Sequence, residues 1–425
     1  MLGAYSKMEE AQKSREFVKS MFAEYYRRPT ILTTPTRIES REFGFVIFDE
    51  RGMLRHVSFK SAGELKSFLE KSVPSDAYFS CAYYDQPTAD MDRKGWLGAD
   101  LVFDIDADHI PTPCGKVHDE WSCGGCGFVG KGLTPDRCPA CGSEKFDVKI
   151  WPCNVCLDSA KAEAVKLLDM LSRDFGFSEK EIHAFFSGHR GYHVHVENEA
   201  IEKLDAVARR EIVDYVGGLG LDTVFHGFDE EAMKTSSFLG NTSLNHMGWR
   251  ERMFQGMHDF ILNAKPEDYR NAGLTSNIIE AIMKNKDAIL KNWDDARRWG
   301  VIKGVGFGTW KKIVELCLNS QSAKIDTAVT TDIHRLIRLT DSLHGKTGLR
   351  KIELPLSEIN DFDPFKSAVA FKKGNALVFV SDSPEFRLGD ETFGPYRNQK
   401  VELPAAAAVF LVCKGRAGVV DWNVQ

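Results

Sequence analysis

The chain has 425 residues, 43% of them hydrophobic, and a formal net charge of −6. That length supports a large core and about two to three domains. The charge excludes a global basic field, so any contact with nucleic acid must rest on local basic clusters. Met1 to Glu16 is charged and has no apolar core, so it does not read as a signal peptide. The longest apolar run, Leu403 to Cys413, is too short to cross a bilayer. A soluble, cytoplasmic protein with no membrane contact is expected.

Apolar positions at Phe17, Val18, Met21, Phe22, Tyr25 and Tyr26 predict an amphipathic helix from about Glu9 to Arg28, ended by Pro29. Arg41 to Phe48 reads as a strand, and Met53 to Phe59 as its hairpin partner across Glu50-Arg51-Gly52. Ser61 caps a short helix through Leu69, and a further strand covers Ala77 to Tyr84. Then comes Leu101-Val102-Phe103-Asp104-Ile105-Asp106-Ala107-Asp108. Residues two apart on a strand share a face, so Asp104 and Asp106 lie side by side while Ile105 turns to the core. Adjacent carboxylates repel, and a hard divalent cation such as Mg²⁺ or Mn²⁺ offsets that cost. A strand that ends in a polar turn, without metal, is the alternative.

Seven of the ten cysteines follow within 43 residues, as Cys114-x3-His118-x4-Cys123-x2-Cys126-x11-Cys138-x2-Cys141-x11-Cys153-x2-Cys156. Such clustering points to metal rather than disulfides in a cytosolic chain. Cys123, Cys126, Cys138 and Cys141 have zinc-ribbon spacing, because each tight Cys-x-x-Cys turn aims two thiolates at one tetrahedral ion. Cys114, His118, Cys153 and Cys156 remain as a second set of four, nested outside the first. Both sites are closed, hence structural. Iron–sulfur ligation, or simple burial of some of these cysteines, stays open on spacing alone.

Ser159 to Phe175 is a clear helix, followed by strands at Ile182–Phe186 and Tyr192–Val196. Between them lies Ser187-Gly188-His189-Arg190-Gly191. Its glycines let backbone approach an anion, and Ser187, Arg190 and His193 offer a hydroxyl, a guanidinium fork and a ring N–H. That set suits a triphosphate; a polar β-turn is the plainer account. Asn198 to Asn319 is mainly helical, with bulk from Trp293, Trp299 and Trp310. Within it, Ile302 to Ile313 resembles a helix-hairpin-helix turn, although a Gly-rich helix connection explains it as well. Asp326 then precedes a basic stretch, His334 to Lys351, holding Arg335, Arg338, His344 and Lys346. Carboxylates beside such cations suit metal-assisted phosphoryl transfer; a solvated basic helix and loop is the alternative. A β-rich end covers Ala376 to Ser381 and Ala406 to Lys414.

These three stretches, in this order, resemble the small catalytic subunit of archaeal and eukaryotic-type DNA primase, and the cysteine insert and C-terminal segment resemble the archaeal form. The family's paired aspartates match Asp104 and Asp106. Its Ser-Gly-x-Arg-Gly-x-His matches Ser187, Gly188, Arg190, Gly191 and His193. Its third motif matches Asp326, Arg338 and Ser342 to Gly348. His189 stands where some relatives carry arginine. The resemblance implies an α+β fold: a mixed-sheet catalytic core with an inserted zinc-binding module and a mainly helical insert. On the expected boundaries the core covers 1–106, 158–197 and 323–425, the zinc module 107–157, and the helical domain 198–322.

The resemblance also implies primer synthesis on single-stranded DNA by two-metal nucleotidyl transfer from nucleoside triphosphates, within a heterodimer with a large subunit. Asp104, Asp106 and Asp326 are then the catalytic residues and hold Mg²⁺ or Mn²⁺. Arg41, Ser187, Arg190, His193, Arg338, His344 and Lys346 hold the nucleotide, and the cysteine sets hold one or two structural zinc ions. Two rival readings stay open. Val102 to Asp106 also resembles the strand end of haloacid-dehalogenase-type phosphatases, although those usually carry Thr or Val where this chain has Asp108. A non-catalytic zinc-bearing replication scaffold is the other.

Overall fold

Period-two alternation of apolar and polar residues builds the sheets that carry the carboxylates. The structure, a computed structural model, describes residues 2–29, 32–226, 228–231, 248–293 and 302–423. Trp299 lies outside these residues, whereas the hairpin-like stretch Ile302 to Ile313 lies within them. The chain divides into two compact units. The first comprises Met1–Val165, Glu179–Arg210 and Ile325–Gln425, and the second Lys166–Ser178 and Glu211–Lys324.

The principal strands of the first unit are β1 (Phe43–Ile47), β2 (Leu54–Val57), β3 (Pro74–Ser80), β4 (Leu101–Asp106), β5 (Ile182–Phe186), β6 (Gly191–Val196), β7 (Leu336–Arg338), β8 (Ile352–Leu354), β9 (Asn375–Ser383), β10 (Tyr396–Pro404) and β11 (Ala417–Asn423). One antiparallel sheet has the order β7-β3-β1-β2, a second β8-β5-β6-β4, and a third β10-β9-β11. In the second sheet Ile105 pairs with Tyr192 and Phe103 with Val194, and all four side chains are fully buried on one face. The opposite face carries Asp104, Asp106, His193 and His195, because paired residues share a face and neighbours alternate. The Phe79 ring of β3 lies 6.1 Å from the His195 ring. The first sheet therefore packs against the polar face of the second.

The N-terminal helix (Leu2–Arg27) runs further toward the N-terminus than its apolar spacing suggested. It buries Phe17, Val18, Met21, Phe22, Tyr25 and Tyr26, the residues the spacing singled out. Phe17 meets Trp422 of β11 at 5.7 Å, and Ser14 Oγ accepts the Val419 N–H. Ser61 caps the helix Ala62–Ser72 by accepting the Glu64 N–H. The stretch Ala77 to Tyr84 is not one strand. It breaks at Cys81, whose N–H donates to Arg335, and Ala82–Tyr84 pairs instead with Trp96–Ala99. The helix after the cysteine insert starts at Asn154 rather than Ser159, so Cys156 sits in its first turn.

A further expectation is corrected, and one alternative is set aside. Ala405–Cys413 is a helix, not part of a β-rich end. Its four alanines are the best helix formers, and a segment apolar on every side shows no period that separates helix from strand. The basic stretch His334 to Lys351 is no solvated helix: it forms β7 and then tight turns, with Arg338, Ser342, Thr347 and Lys351 buried.

The second unit is helical among its described residues, with Trp249–Asn263, Ser276–Lys291 and Phe307–Gln321 as its longer helices. Met253, Met257, Ile282, Ile289, Trp310 and Ile313 form its core, with Trp293 packed against it. No described helix of the protein is long and apolar enough to cross a membrane.

Gly191 is the tightest point of the second sheet. A Cβ there would run into the Ile105 carbonyl oxygen and come within 3.1 Å of Asp106 Cα. Gly191→Ala should therefore lower the melting temperature, by about 1–3 kcal/mol of overpacking or more. Gly63→Ala, on an open helix position, should leave it unchanged or slightly higher. Thermal melts of both variants check this, and an unaffected Gly191→Ala would contradict the close approach.

Candidate active site

Asp104 and Asp106 occupy the C-terminal half of β4, side by side on the face turned toward the first sheet. Asp326 joins them: its backbone N–H donates to the Asp104 carbonyl at 2.8 Å, and its carboxylate caps the short helix Thr327–Thr331. Burial and the charges of Asp106 and Asp326 push Asp104 up to about 7. Burial also raises Asp106, against the opposing charges of Arg190, His109, Lys116 and Lys346. Asp326, more than 200 residues further along the chain, is thus brought beside the Asp104/Asp106 pair. His193 stands opposite Asp104 in the ladder, with Nε2 3.5 Å from Asp104 Oδ1. Burial and the nearby Lys351, Arg338 and Arg335 charges hold His193 well below its usual range, so the ring is neutral. Its Nδ1 is buried with no partner among the described residues.

The turn between β5 and β6 wraps around the Ser187 hydroxyl. Ser187 Oγ accepts the His189 and Gly191 N–H groups at 3.4 and 3.3 Å. Gly188 has φ +87°, and a Cβ there would press on His344. Thr347 Oγ1 donates to the Gly188 carbonyl at 2.6 Å, which stitches the third motif to the second. The His344 ring stacks on His189 with centroids 5.0 Å apart. Lys346 is exposed at the rim.

Arg190 is almost fully enclosed. Its guanidinium pairs with Asp108 and, at 2.7 Å, with Asp119. The opposite oxygen of Asp119 meets His118 Nδ1 at 2.8 Å and accepts the Trp151 N–H at 2.8 Å. One carboxylate therefore holds both Arg190 and a histidine of the cysteine module. Arg338 points the same way structurally: it pairs with Asp76 at 2.8 Å and donates to the Leu343 carbonyl and the Tyr78 hydroxyl. Asp76 also accepts the Gly345 N–H, so this pair shapes the His344 loop.

Arg41 is not brought to the site. Its side chain is fully buried in an ion pair with Asp100 at 2.7 Å. Its N–H groups go to the Thr36, Ser80 and Cys81 carbonyls and to the Tyr83 hydroxyl. No donor is left for a ligand; an arginine beside a strand reads identically in sequence whether it faces a cleft or a neighbouring carboxylate.

Both cysteine sets converge. The ligand atoms of Cys114, His118, Cys153 and Cys156 lie within 4.8 Å of one another, as do those of Cys123, Cys126, Cys138 and Cys141. Sulfur–sulfur separations of 3.5 Å for Cys114 and Cys156, and of 3.5 and 3.7 Å in the other set, suit the edges of one metal tetrahedron each. The Asp119 contact at Nδ1 leaves His118 Nε2 turned toward the thiols, 3.5 and 3.4 Å from two of the sulfurs. Each set could hold a metal ion.

Sequence reasoning missed Asp119 and Lys414. Lys414 Nζ lies 3.0 Å from His189 Nε2, across 225 residues of sequence. No local spacing connects them; only the fact that Lys414 is the first charge after an eleven-residue apolar run marks it.

Comparison with known proteins agrees with this geometry. Residues 149–356 match the family model described as DNA primase small subunit. Three curated proteins named "DNA primase small subunit PriS" are similar over nearly the whole chain. That of Methanothrix thermoacetophila is 34% identical and covers 96% of this chain and 99% of its own length. That of Nitrosopumilus maritimus is 31% identical, with 95% and 98% covered. That of Archaeoglobus fulgidus is 34% identical, with 94% and 97% covered.

The raised Asp104 carries a stability prediction. Its folded value, about 7, lies above the ordinary 3.8, so the fold disfavours the charged form. Stability tied to this group is complete below the ordinary carboxyl range and is lost as pH rises through about 7. Asp104→Asn removes that loss. Without added Mg²⁺ or Mn²⁺, the variant should melt above the parent at pH 8 by about 1 kcal/mol or more, given 1.4 kcal/mol per unit. The gap should shrink by pH 5. Melts across this range check it, and a gap independent of pH would contradict the crowding of the carboxylates.

Proposed function

The chain belongs to the family of DNA primase small subunits, and from that premise we propose that Asp104, Asp106 and Asp326 are its catalytic carboxylates. It is a catalytic primase subunit, a nucleotidyltransferase that synthesises primers. DNA and nucleotides are its substrates, and it works with a partner subunit. The phosphatase and scaffold readings are not favoured. The observation that carries the assignment is the meeting of Asp104, Asp106 and Asp326 in one partly buried space beside His193.

The three carboxylates would hold Mg²⁺ or Mn²⁺, which would neutralise phosphate oxygens and activate the attacking 3′-hydroxyl. Hard oxygen ligands that repel one another without a cation fit that role. The Ser187–Gly191 turn receives the triphosphate of the incoming nucleotide. Ser187 and the backbone amides around Gly188 present donors to it, and neutral His193 offers a ring N–H beside the carboxylates. Arg190, fixed by Asp108 and Asp119, supplies positive charge at the turn, and Lys346 supplies it at the rim. His344 backs the turn through its stack on His189. Arg338 acts through Asp76 to set the His344 loop. Arg41 acts through Asp100 on the packing of β3.

The template is single-stranded DNA, and the partner is the large subunit of a heterodimer. The work is done in the cytoplasm. The cysteine sets hold zinc as closed structural sites. Four soft ligands with no open position support that reading.

Primer synthesis on single-stranded DNA with labelled nucleotides and Mn²⁺ tests the site. Asp104→Ala should abolish synthesis while retaining the parent's circular dichroism; near-normal synthesis would contradict the carboxylate assignment. Elemental analysis should find about two zinc ions per chain, one lost in Cys123→Ser. Iron, or no metal, would overturn the zinc reading.

A further inference from the structure

Of the cations around the nucleotide turn, Arg190 is paired with Asp108 and Asp119, whereas Lys414 has no carboxylate partner among the described residues. It caps the C-terminus of the apolar helix Ala405–Cys413, with its backbone N–H bonded to the Phe410 and Val412 carbonyls. Gly415 follows at φ +64° and turns the chain away. The side chain enters the turn region, where Nζ sits 3.0 Å from His189 Nε2. His189 is itself buried and stacked on His344.

The charges that reach Lys414 are Arg190, Lys346 and the distant carboxylate of Asp119, with the Cys413 thiol alongside. Asp119 is already committed to Arg190, His118 and the Trp151 N–H. Among the described residues, Lys414 makes no ion pair within 4 Å, and the only hydrogen-bond partner its ammonium has is an imidazole. Burying an ammonium without a counter-ion is costly. Burial and the two neighbouring cations accordingly push Lys414 down to about 7. Burial and the Lys414 and Lys346 charges also hold His189 well below its usual range. A neutral His189 that accepts from Lys414 at Nε2 keeps its proton on Nδ1, so the pair presents donors only. A partly buried, donor-rich pair without an anion, Lys414 half-buried and His189 buried beside the Ser187–Gly191 turn, fits a ligand with several negative oxygens.

We propose that Lys414 is a phosphate-binding residue: with His189 it takes the terminal phosphates of the incoming nucleoside triphosphate, a contact contributed by the C-terminal segment. The proposal rests on the reading of the Ser187–Gly191 turn as the triphosphate cradle. The terminal phosphates are favoured because the main cations acting on Asp106 are Arg190, Lys116 and Lys346, not Lys414, which sits at a helix end beside His189.

The test is equilibrium binding of ATP and AMP to the full-length protein, with single-stranded DNA binding and zinc content measured in parallel. Lys414→Ala should weaken ATP binding about tenfold, the scale of one charge-assisted hydrogen bond. AMP and single-stranded DNA binding and zinc content should stay within about twofold, well under that scale. Lys414→Arg should recover most of the loss. Lys414→Met, which keeps the buried stem, replaces the alanine variant if that one fails to fold, with the same expectation. Unchanged ATP binding, or an equal loss for ATP, AMP and DNA, would overturn the proposal. Ser187→Ala separates the two levels. If it also leaves ATP binding unchanged, the cradle reading fails; if it weakens ATP binding while Lys414→Ala does not, only the Lys414 contact fails.

Discussion

The site depends on one ladder, the antiparallel pairing of β4 with β6. Its register sets His193 opposite Asp104 and Gly191 opposite Asp106. A slip of one residue would send both carboxylates into the face now filled by Phe103, Ile105, Tyr192 and Val194. Gly191 permits the pairing because nothing larger than hydrogen fits beside the Ile105 carbonyl. The same residue ends the Ser187 turn, so the ladder that aligns the carboxylates also places the turn at their edge.

Around this ladder, charge is distributed in two opposed groups. Asp106 and Asp326 come close enough to Asp104 to raise its proton affinity. Next to them, Arg190, Lys346 and Lys414 lie together with neutral His189, His193 and His344. Neither group is neutralised by the other alone. Under the proposed function, a nucleotide with divalent cations would supply what both lack: positive charge at the carboxylates and negative charge at the lysines. Asp119 gives the arrangement a fixed support, because its two oxygens are divided between Arg190 and His118 of a metal-ligand set. The cysteine module is thereby joined to the Ser187–Gly191 turn through the buried carboxylate of Asp119.

Much of this was legible in the sequence because its signals are local. The Asp104/Asp106 pair follows from strand alternation, and the bounds of β5 and β6 follow from the turn between them. Both metal-ligand sets follow from Cys-x-x-Cys spacing, and the structure brings together the same two groups of four. The approach of Asp326 to Asp104 needed the family resemblance, since no spacing links residues so far apart. What the sequence did not show is where a long cationic side chain points. The resemblance assigns Arg41 and Arg338 to a ligand, yet Arg41 meets the buried carboxylate of Asp100 and Arg338 the half-buried one of Asp76. Lys414 escaped notice because Ala405–Cys413 is apolar on every side and carries no period.

The sharpest check on a shared three-carboxylate site is Mn²⁺ binding, followed by the electron paramagnetic resonance of free Mn²⁺ in the presence of a non-hydrolysable nucleoside triphosphate. The wild-type protein should bind Mn²⁺, and Asp106→Ala and Asp326→Ala should each lose most of that binding while keeping their zinc. Undiminished Mn²⁺ binding in Asp326→Ala would contradict a site built by β4 and the distant aspartate together.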